Sequence, residues 1–142
     1  MTTPARIAPP LPSATQPGKS PLNVLVVEDN PVNQKLAKLM LQKIGYPADV
    51  ADNGLLALEM LGQQPYDLIF MDMQMPKMDG LTATKSIRRD FAHQPWIVAM
   101  TANALPTDRQ ACFDAGMNDY IPKPIRLDRV REAIADYRRS RV

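Results

Sequence analysis

Asp67-Leu68-Ile69-Phe70-Met71-Asp72-Met73-Gln74-Met75-Pro76-Lys77-Met78-Asp79-Gly80 is the stretch from which the rest of the chain becomes readable. Leu68 to Met71 form a short apolar run with β-formers at its centre. Such a run suits a strand covered on both faces, as in a parallel sheet. It stops at one carboxylate, Asp72, and the chain then turns through Pro76 and Asp79-Gly80. An acidic side chain at the carboxyl end of a buried strand stands where open α/β sheets carry out their chemistry.

On either side of this stretch a strand–helix rhythm continues. Leu22–Val27 reads as an apolar strand ending in Glu28-Asp29. Asn30 caps a helix that has Pro31 at its first position, and Gly45 closes it. Val32, Leu36, Leu39, Met40 and Ile44 are expected to make that helix's buried stripe. Residues 46–51 fit a second strand and 54–61 a second helix. Leu81, Thr84, Ile87 and Phe91 give a third helix after Gly80, with Asp79 and Gly80 as its turn and start. Trp96–Met100 is a fourth strand ending at Thr101, and residues 106–115 a fourth helix ending at Gly116. Asp119–Ile121 is a short fifth strand, and a last helix runs from about 126 to 138 with Val130, Ile134 and Tyr137 facing in. Five strands alternating with five helices imply a doubly wound parallel sheet with right-handed crossovers, and the flavodoxin-like order 2-1-3-4-5 is expected.

The totals narrow the function classes. With 142 residues, 45% of them apolar, there is material for one domain with a real core. The longest apolar runs are far too short to cross a bilayer, and no signal-peptide pattern opens the chain. One cysteine, Cys112, excludes an internal disulfide and fits a reducing compartment, so a cytoplasmic location is expected. Residues 1–20 read as a Pro-rich linker or disordered arm, and 21–142 as the domain. Gly18-Lys19-Ser20 echoes a phosphate-binding loop by coincidence, since no strand precedes it and the first glycine of that motif falls on Ser13. The net charge of +2 conceals a body at −2 over residues 21–126 and a basic tail. No clustered basic face with interleaved aromatics is present, so direct nucleic-acid binding is not expected.

Four strand ends carry polar groups: Glu28-Asp29, Asp72, Thr101 and Lys123. In the expected order the first and third strands are neighbours about 4.8 Å apart, which crowds three carboxylates together. Their mutual repulsion would raise their pKa values, and a divalent cation would remove that cost. An all-oxygen donor set of this kind suits Mg²⁺ that keeps several waters and takes a substrate phosphate oxygen. Thr101 offers a hydroxyl, and the long stem of Lys123 brings an ammonium within reach of Asp72. Such groups neutralise the oxygens of a phosphoryl group in transfer. A carboxylate needs no general base to act as nucleophile. The chemistry this arrangement suits is an aspartyl phosphate.

The segments Val26-Val27-Glu28-Asp29-Asn30, Met71 to Gly80, Ala99-Met100-Thr101-Ala102-Asn103-Ala104 and Asp119-Tyr120-Ile121-Pro122-Lys123-Pro124-Ile125 occur together in order and spacing. By them the chain, from about 21 to 140, resembles the receiver domains of two-component response regulators, above all those of hybrid sensor histidine kinases. That resemblance implies a phosphorelay role in which Asp72 accepts a phosphoryl group from a histidine kinase or a histidine phosphotransfer protein. It implies Mg²⁺ on Asp29, Asp72 and the backbone carbonyl of Gln74, with Glu28 acting through a coordinated water. Thr101 and Lys123 would bind the phosphoryl group, and the Lys123-Pro124 bond would be cis. Tyr120 stands at the switch-aromatic position, and Gln74 and Asn103 at positions that tune phosphoryl lifetime. The output surface, and a weak dimer contact, would lie on helix 4, strand 5 and helix 5. The domain would be no enzyme in its own right, although it would assist its own phosphorylation and dephosphorylation.

Competing readings are weaker. An aspartyl-nucleophile phosphatase of the haloacid-dehalogenase type needs a second acid two residues after its nucleophile, where this chain has Gln74, and no cap domain is visible. A degenerate receiver that never takes phosphate would have lost an acidic ligand, the threonine or the lysine, and all are present. Tyr120 has a plain alternative as an edge-strand aromatic. His93, the only histidine, sits in a polar loop before Pro95 and is not expected to be a phosphodonor. Cys112 is expected to pack rather than react, and the methionines at 71, 73, 75 and 78 to fill core and loop gaps.

Overall fold

The computed structural model describes residues 22–75, 77–102 and 105–141. Five strands alternate with five helices: β1 (Val24–Val27), α1 (Pro31–Ile44), β2 (Ala48–Ala51), α2 (Gly54–Gln63), β3 (Leu68–Asp72), α3 (Gly80–Asp90), β4 (Trp96–Thr101), α4 (Pro106–Ala115), β5 (Asp119–Pro122) and α5 (Leu127–Ser140). All pairings are parallel and the order is β2-β1-β3-β4-β5, the flavodoxin-like arrangement. Strand 5 is therefore an edge, where exposed Pro122 costs the ladder nothing.

Because side chains alternate along a strand, the three central strands are buried on both faces. Val24, Val26, Leu68, Phe70, Val98, Met100 and Ile121 pack with α1 and α5. Leu25, Val27, Ile69, Met71, Ile97 and Ala99 pack on the other face with α2, α3 and α4. The sheet is thus a partition between two cores, and its carboxyl edge is where the row of strand-end polar groups gathers.

The helix starts follow from their caps. Asn30 Oδ1 accepts from the N–H groups of Val32 (2.8 Å) and Asn33 (3.1 Å). Asn53 caps α2 through Leu56 N, and Asp79 caps α3 through Thr82 N. Each such cap contributes about 1 kcal/mol. Gly45 and Gly116 close α1 and α4 in the left-handed conformation, at φ 105° and 109°. Gly80 is needed for space instead, because a Cβ there would strike the backbone carbonyl of Asp72. The third helix can start against the end of β3 only because position 80 lacks a side chain.

One sequence expectation is corrected. Met40 and Ile44 pack against the core, but Val32, Leu36 and Leu39 do not: they are 73%, 37% and 54% exposed. The buried line of α1 is Ala37 and Leu41. At about 100° per residue, Val32 and Leu39 fall almost opposite Ala37. Alanine lets the helix lie close to the sheet, and the second apolar stripe is left facing out. Smaller differences concern ends: Tyr46 and Pro47 precede β2, and Phe91 is the cap of α3 rather than a turn of it.

Candidate functional site

Glu28, Asp29 and Asp72 meet at the carboxyl edge of β1 and β3, with one carboxylate oxygen of each within 4.8 Å of the others. They line a cleft of about 200 Å³ together with Asn30, Asn33, Met73, Gln74, Ala102 and Lys123. Strand alternation explains the selection. Asp72 shares its parity with Leu68 and Phe70, Glu28 with Val24 and Val26, and Lys123 with Ile121, so all three continue rows that belong to the α1–α5 core.

Burial makes the site electrostatically demanding. Glu28 and Asp72 are 1% and 3% exposed, whereas Asp29 is exposed. Lys123 Nζ lies 3.1 Å from Asp72 Oδ1 and 3.1 Å from Glu28 Oε1. Burial pushes the Asp72 carboxyl up to about 6; hydrogen bonds from Lys123 and the Gln74 N–H pull against this, and the Glu28 charge adds to it. For Lys123, burial works to lower the ammonium, but its hydrogen bond to Asp72, its close ion pair with Glu28 and the charges of both outweigh that and hold it above its ordinary value. One ammonium thus serves two buried carboxylates, while a third carboxylate stands beside them.

The backbone around the acids is fixed by short polar links. Glu28 Oε2 accepts from Asn30 N–H at 3.1 Å, and Gln74 N–H donates to Asp72 Oδ1 at 3.2 Å. The Gln34 amide donates to both the Glu28 carbonyl and the Asp52 carboxylate, tying the loops after β1 and β2 together. The Lys123-Pro124 bond is cis, and Lys123 N–H donates to the Thr101 carbonyl at 2.7 Å.

Not every expected residue reaches the cleft. Thr101 is buried at the end of β4, but Ala102 forms the wall there. Tyr120 lies opposite Ala99 in the β4–β5 register, on the α4 side of the sheet, half-buried, with its hydroxyl accepting from Arg109 Nη1 at 2.8 Å. Asn103 and the Gly18-Lys19-Ser20 echo lie outside the described residues. His93 is at the opposite end of the sheet, with Nε2 3.1 Å from the Tyr66 carbonyl, far from any role at Asp72. Asn33 lines the cleft although the sequence reading does not single it out. It stands three residues after the cap Asn30, in the first turn of a helix whose start faces the cleft, and that spacing is the available signal.

The donor set fits a divalent cation. Three carboxylates converge, and Glu28 Oε1 is buried and, beyond its charge pairing with Lys123, accepts no directed hydrogen bond. Hard oxygen donors with a net negative charge and open solvent on one side are the surroundings Mg²⁺ takes.

Comparison with known proteins agrees. The family model described as response regulator receiver domain matches residues 24–135. Hybrid signal transduction histidine kinase K of Dictyostelium discoideum is 47% identical over 121 residues, covering 80% of this chain and 10% of the relative. Sensor histidine kinase RcsC of Salmonella typhi is 35% identical over 128 residues, covering 90% of this chain and 13% of the relative. The chain thus spans about a tenth of the length of these kinases. Among solved structures, the receiver domain of sensor histidine kinase PA1611 from Pseudomonas aeruginosa PAO1, with magnesium ion coordinated in the active site cleft, superposes with a TM-score of 0.75 at 39% identity, covering 83% of this chain and 98% of that one. The receiver domain of the Saccharomyces cerevisiae response regulator Ssk1, crystallised with the histidine phosphotransfer protein Ypd1, gives 0.75 at 34% identity, covering 82% and 88%. With the family model matching most of its length, the chain belongs to the response regulator receiver domain family.

Proposed function

We propose that residues 21–142 act as a phosphorelay receiver in which Asp72 takes a phosphoryl group from a phosphohistidine. The observation that carries this is a buried, nucleophilic carboxylate with Lys123 at 3.1 Å and two further acids beside it, open to solvent through one cleft. An Asp72 oxygen attacks phosphorus, the donor's N–P bond breaks and an O–P bond forms, with no proton to be removed from the nucleophile. Lys123 binds the incoming phosphoryl oxygens, and the Thr101 hydroxyl turns to meet them. Mg²⁺, held by Asp29, Asp72 and the Gln74 carbonyl with Glu28 behind a water, would neutralise charge on those same oxygens. Gln74 lines the cleft, where its side chain would tune phosphoryl lifetime, and the family resemblance assigns the same tuning role to position 103.

The exposed stripe of α1 supports the partner class. Val32, Leu36 and Leu39 lie on a helix that also carries Lys35, Lys38 and Lys43 and no acid, and whose start at Asn30 and Asn33 lines the cleft. An apolar face rimmed by lysines beside a phosphorylation site suits a phosphohistidine protein with an acidic docking surface, and the similar receiver of Ssk1 is crystallised with a histidine phosphotransfer protein. On α4, across the sheet from α1, exposed Leu105 and Phe113 support an output surface, and a weak dimer contact, that continues over the β5 edge to α5 on the α1 side. The kinases that this chain resembles support a role within a hybrid histidine kinase system. No described helix is long and apolar enough to cross a membrane, and we take the domain to work in the cytoplasm.

The test is intact-mass spectrometry after incubation with acetyl phosphate and Mg²⁺. A single phosphate adduct is expected, absent from Asp72→Asn and absent without the metal. No adduct from acetyl phosphate or from a phosphohistidine donor would leave only a scaffold.

A further inference from the structure

We propose that Arg109 is the positioning residue that sets the resting orientation of Tyr120, and thereby how readily Asp72 is phosphorylated. The inference rests on the receiver reading above, with Tyr120 as the switch aromatic; in that reading its ring turns inward as Thr101 moves toward the phosphoryl group. Arg109 Nη1 donates to the Tyr120 hydroxyl at 2.8 Å, and its guanidinium carbon lies 5.4 Å from the ring centroid, so one side chain holds both the tip and the face of the ring. Phe113, one turn further along α4, meets the ring edge-on at 6.3 Å. Together they clasp Tyr120 onto α4.

Two observations single out Arg109 from an ordinary surface arginine. It stands at the end of the first turn of α4, where the helix dipole disfavours a cation, and no side chain caps that helix. Among the described residues it pairs with no carboxylate, and its Nε is buried without a hydrogen-bond partner. The guanidinium is thus committed to the tyrosine. In the β4–β5 register Tyr120 is opposite Ala99, and Thr101 follows two residues on along the same face. A ring released from Arg109 has the end of β4 beside it, and the space it enters is the space that Thr101 vacates. Turning the ring inward also leaves the Arg109 cation and Phe113, already 44% exposed, uncovered on α4. The same movement therefore reports on Asp72 and changes the surface that a partner reads.

A hydrogen bond to a charged group biases a two-state equilibrium by about tenfold or more. Tyrosine labelled for NMR observation gives the direct readout, with Tyr120→Phe identifying the signal among four tyrosines. In the unphosphorylated protein, Arg109→Ala is expected to move the Tyr120 resonance toward the position that wild type adopts when phosphorylated. Phosphorylation by acetyl phosphate should speed up several-fold, and Arg109→Lys should fall between. The acceleration should vanish when Arg109→Ala is made in a Tyr120→Phe background. A Tyr120 signal and a rate unmoved by Arg109→Ala, in a protein that still takes phosphate, overturn the assignment and leave the receiver reading intact. A rate gain that persists without the tyrosine hydroxyl overturns it as well. Should wild type take no phosphate, the receiver reading fails, and the resonance alone decides whether Arg109 holds the ring. If Arg109→Ala proves poorly folded by circular dichroism, Arg109→Lys carries the same tests.

Discussion

Replacing Asp72 with asparagine should make the metal-free protein more stable at neutral pH, and the gain should disappear in acid. Burial, reinforced by the charge of Glu28, holds the Asp72 carboxyl near 6 against an ordinary 3.8 even though Lys123 and the Gln74 N–H favour its charged form. The folded protein therefore binds this proton more tightly than the unfolded chain does. Stability from this group is greatest below about pH 4 and is lost as pH rises through 6. A difference of that size corresponds to about 3 kcal/mol, an upper value because other groups at the site relax. Asparagine keeps an oxygen for Lys123 and for the Gln74 N–H but carries no charge. Urea unfolding in EDTA should then show Asp72→Asn ahead by about 2 kcal/mol at about pH 7.5 and level with wild type at about pH 4.5. Adding Mg²⁺ should close the gap by stabilising wild type, by about 1.4 kcal/mol at roughly tenfold excess over its dissociation constant. A variant that is less stable than wild type at neutral pH, or a gap that does not change with pH, would refute the argument that unrelieved charge is stored at Asp72.

Other outcomes follow from single contacts. Lys123→Met leaves Glu28 and Asp72 buried without their shared cation, and should cost about 2 kcal/mol in urea unfolding and slow phosphorylation by acetyl phosphate at least tenfold. Gly80→Ala drives a Cβ into the Asp72 carbonyl and should cost about 1–3 kcal/mol, seen as a lowered Tm with impaired phosphorylation. Val32→Glu with Leu39→Glu should leave stability within about 0.5 kcal/mol and leave the acetyl phosphate reaction unaltered, yet slow transfer from a phosphohistidine protein. Equal loss with both donors would remove α1 as the docking face.

The strand–helix alternation and the strand-end acids are legible in the sequence because both rest on strong local signals, whereas the order 2-1-3-4-5 is expected only as the common arrangement of such an alternation. Apolar runs such as Leu68–Met71 end in charged residues, and Asn30, Asp79, Gly45 and Gly116 mark the helix ends that the structure shows. The α1 stripe misleads because periodicity reports that a face is apolar, not what covers it. Val32, Leu36 and Leu39 have the spacing of a core face, and only the position of Ala37 against the sheet reveals that they are on the other side. Asn33 does not stand out because a polar residue in a first turn has many ordinary uses. The Arg109–Tyr120 contact joins residues eleven apart on different elements, and no local pattern announces it. Thr101 is recognisable as a strand end, but its place behind Ala102 depends on how β4 leaves the sheet.

If donors dock on α1 and clients on α4, as proposed, the sheet separates loading from reading. The α1 stripe belongs to one layer and the Arg109–Tyr120–Phe113 clasp to the other, with five strands between them. A donor seated on α1 and a listener seated on α4 would therefore not exclude one another. Such a domain can be charged while its client is already in place, so message delivery need not wait for the donor to leave.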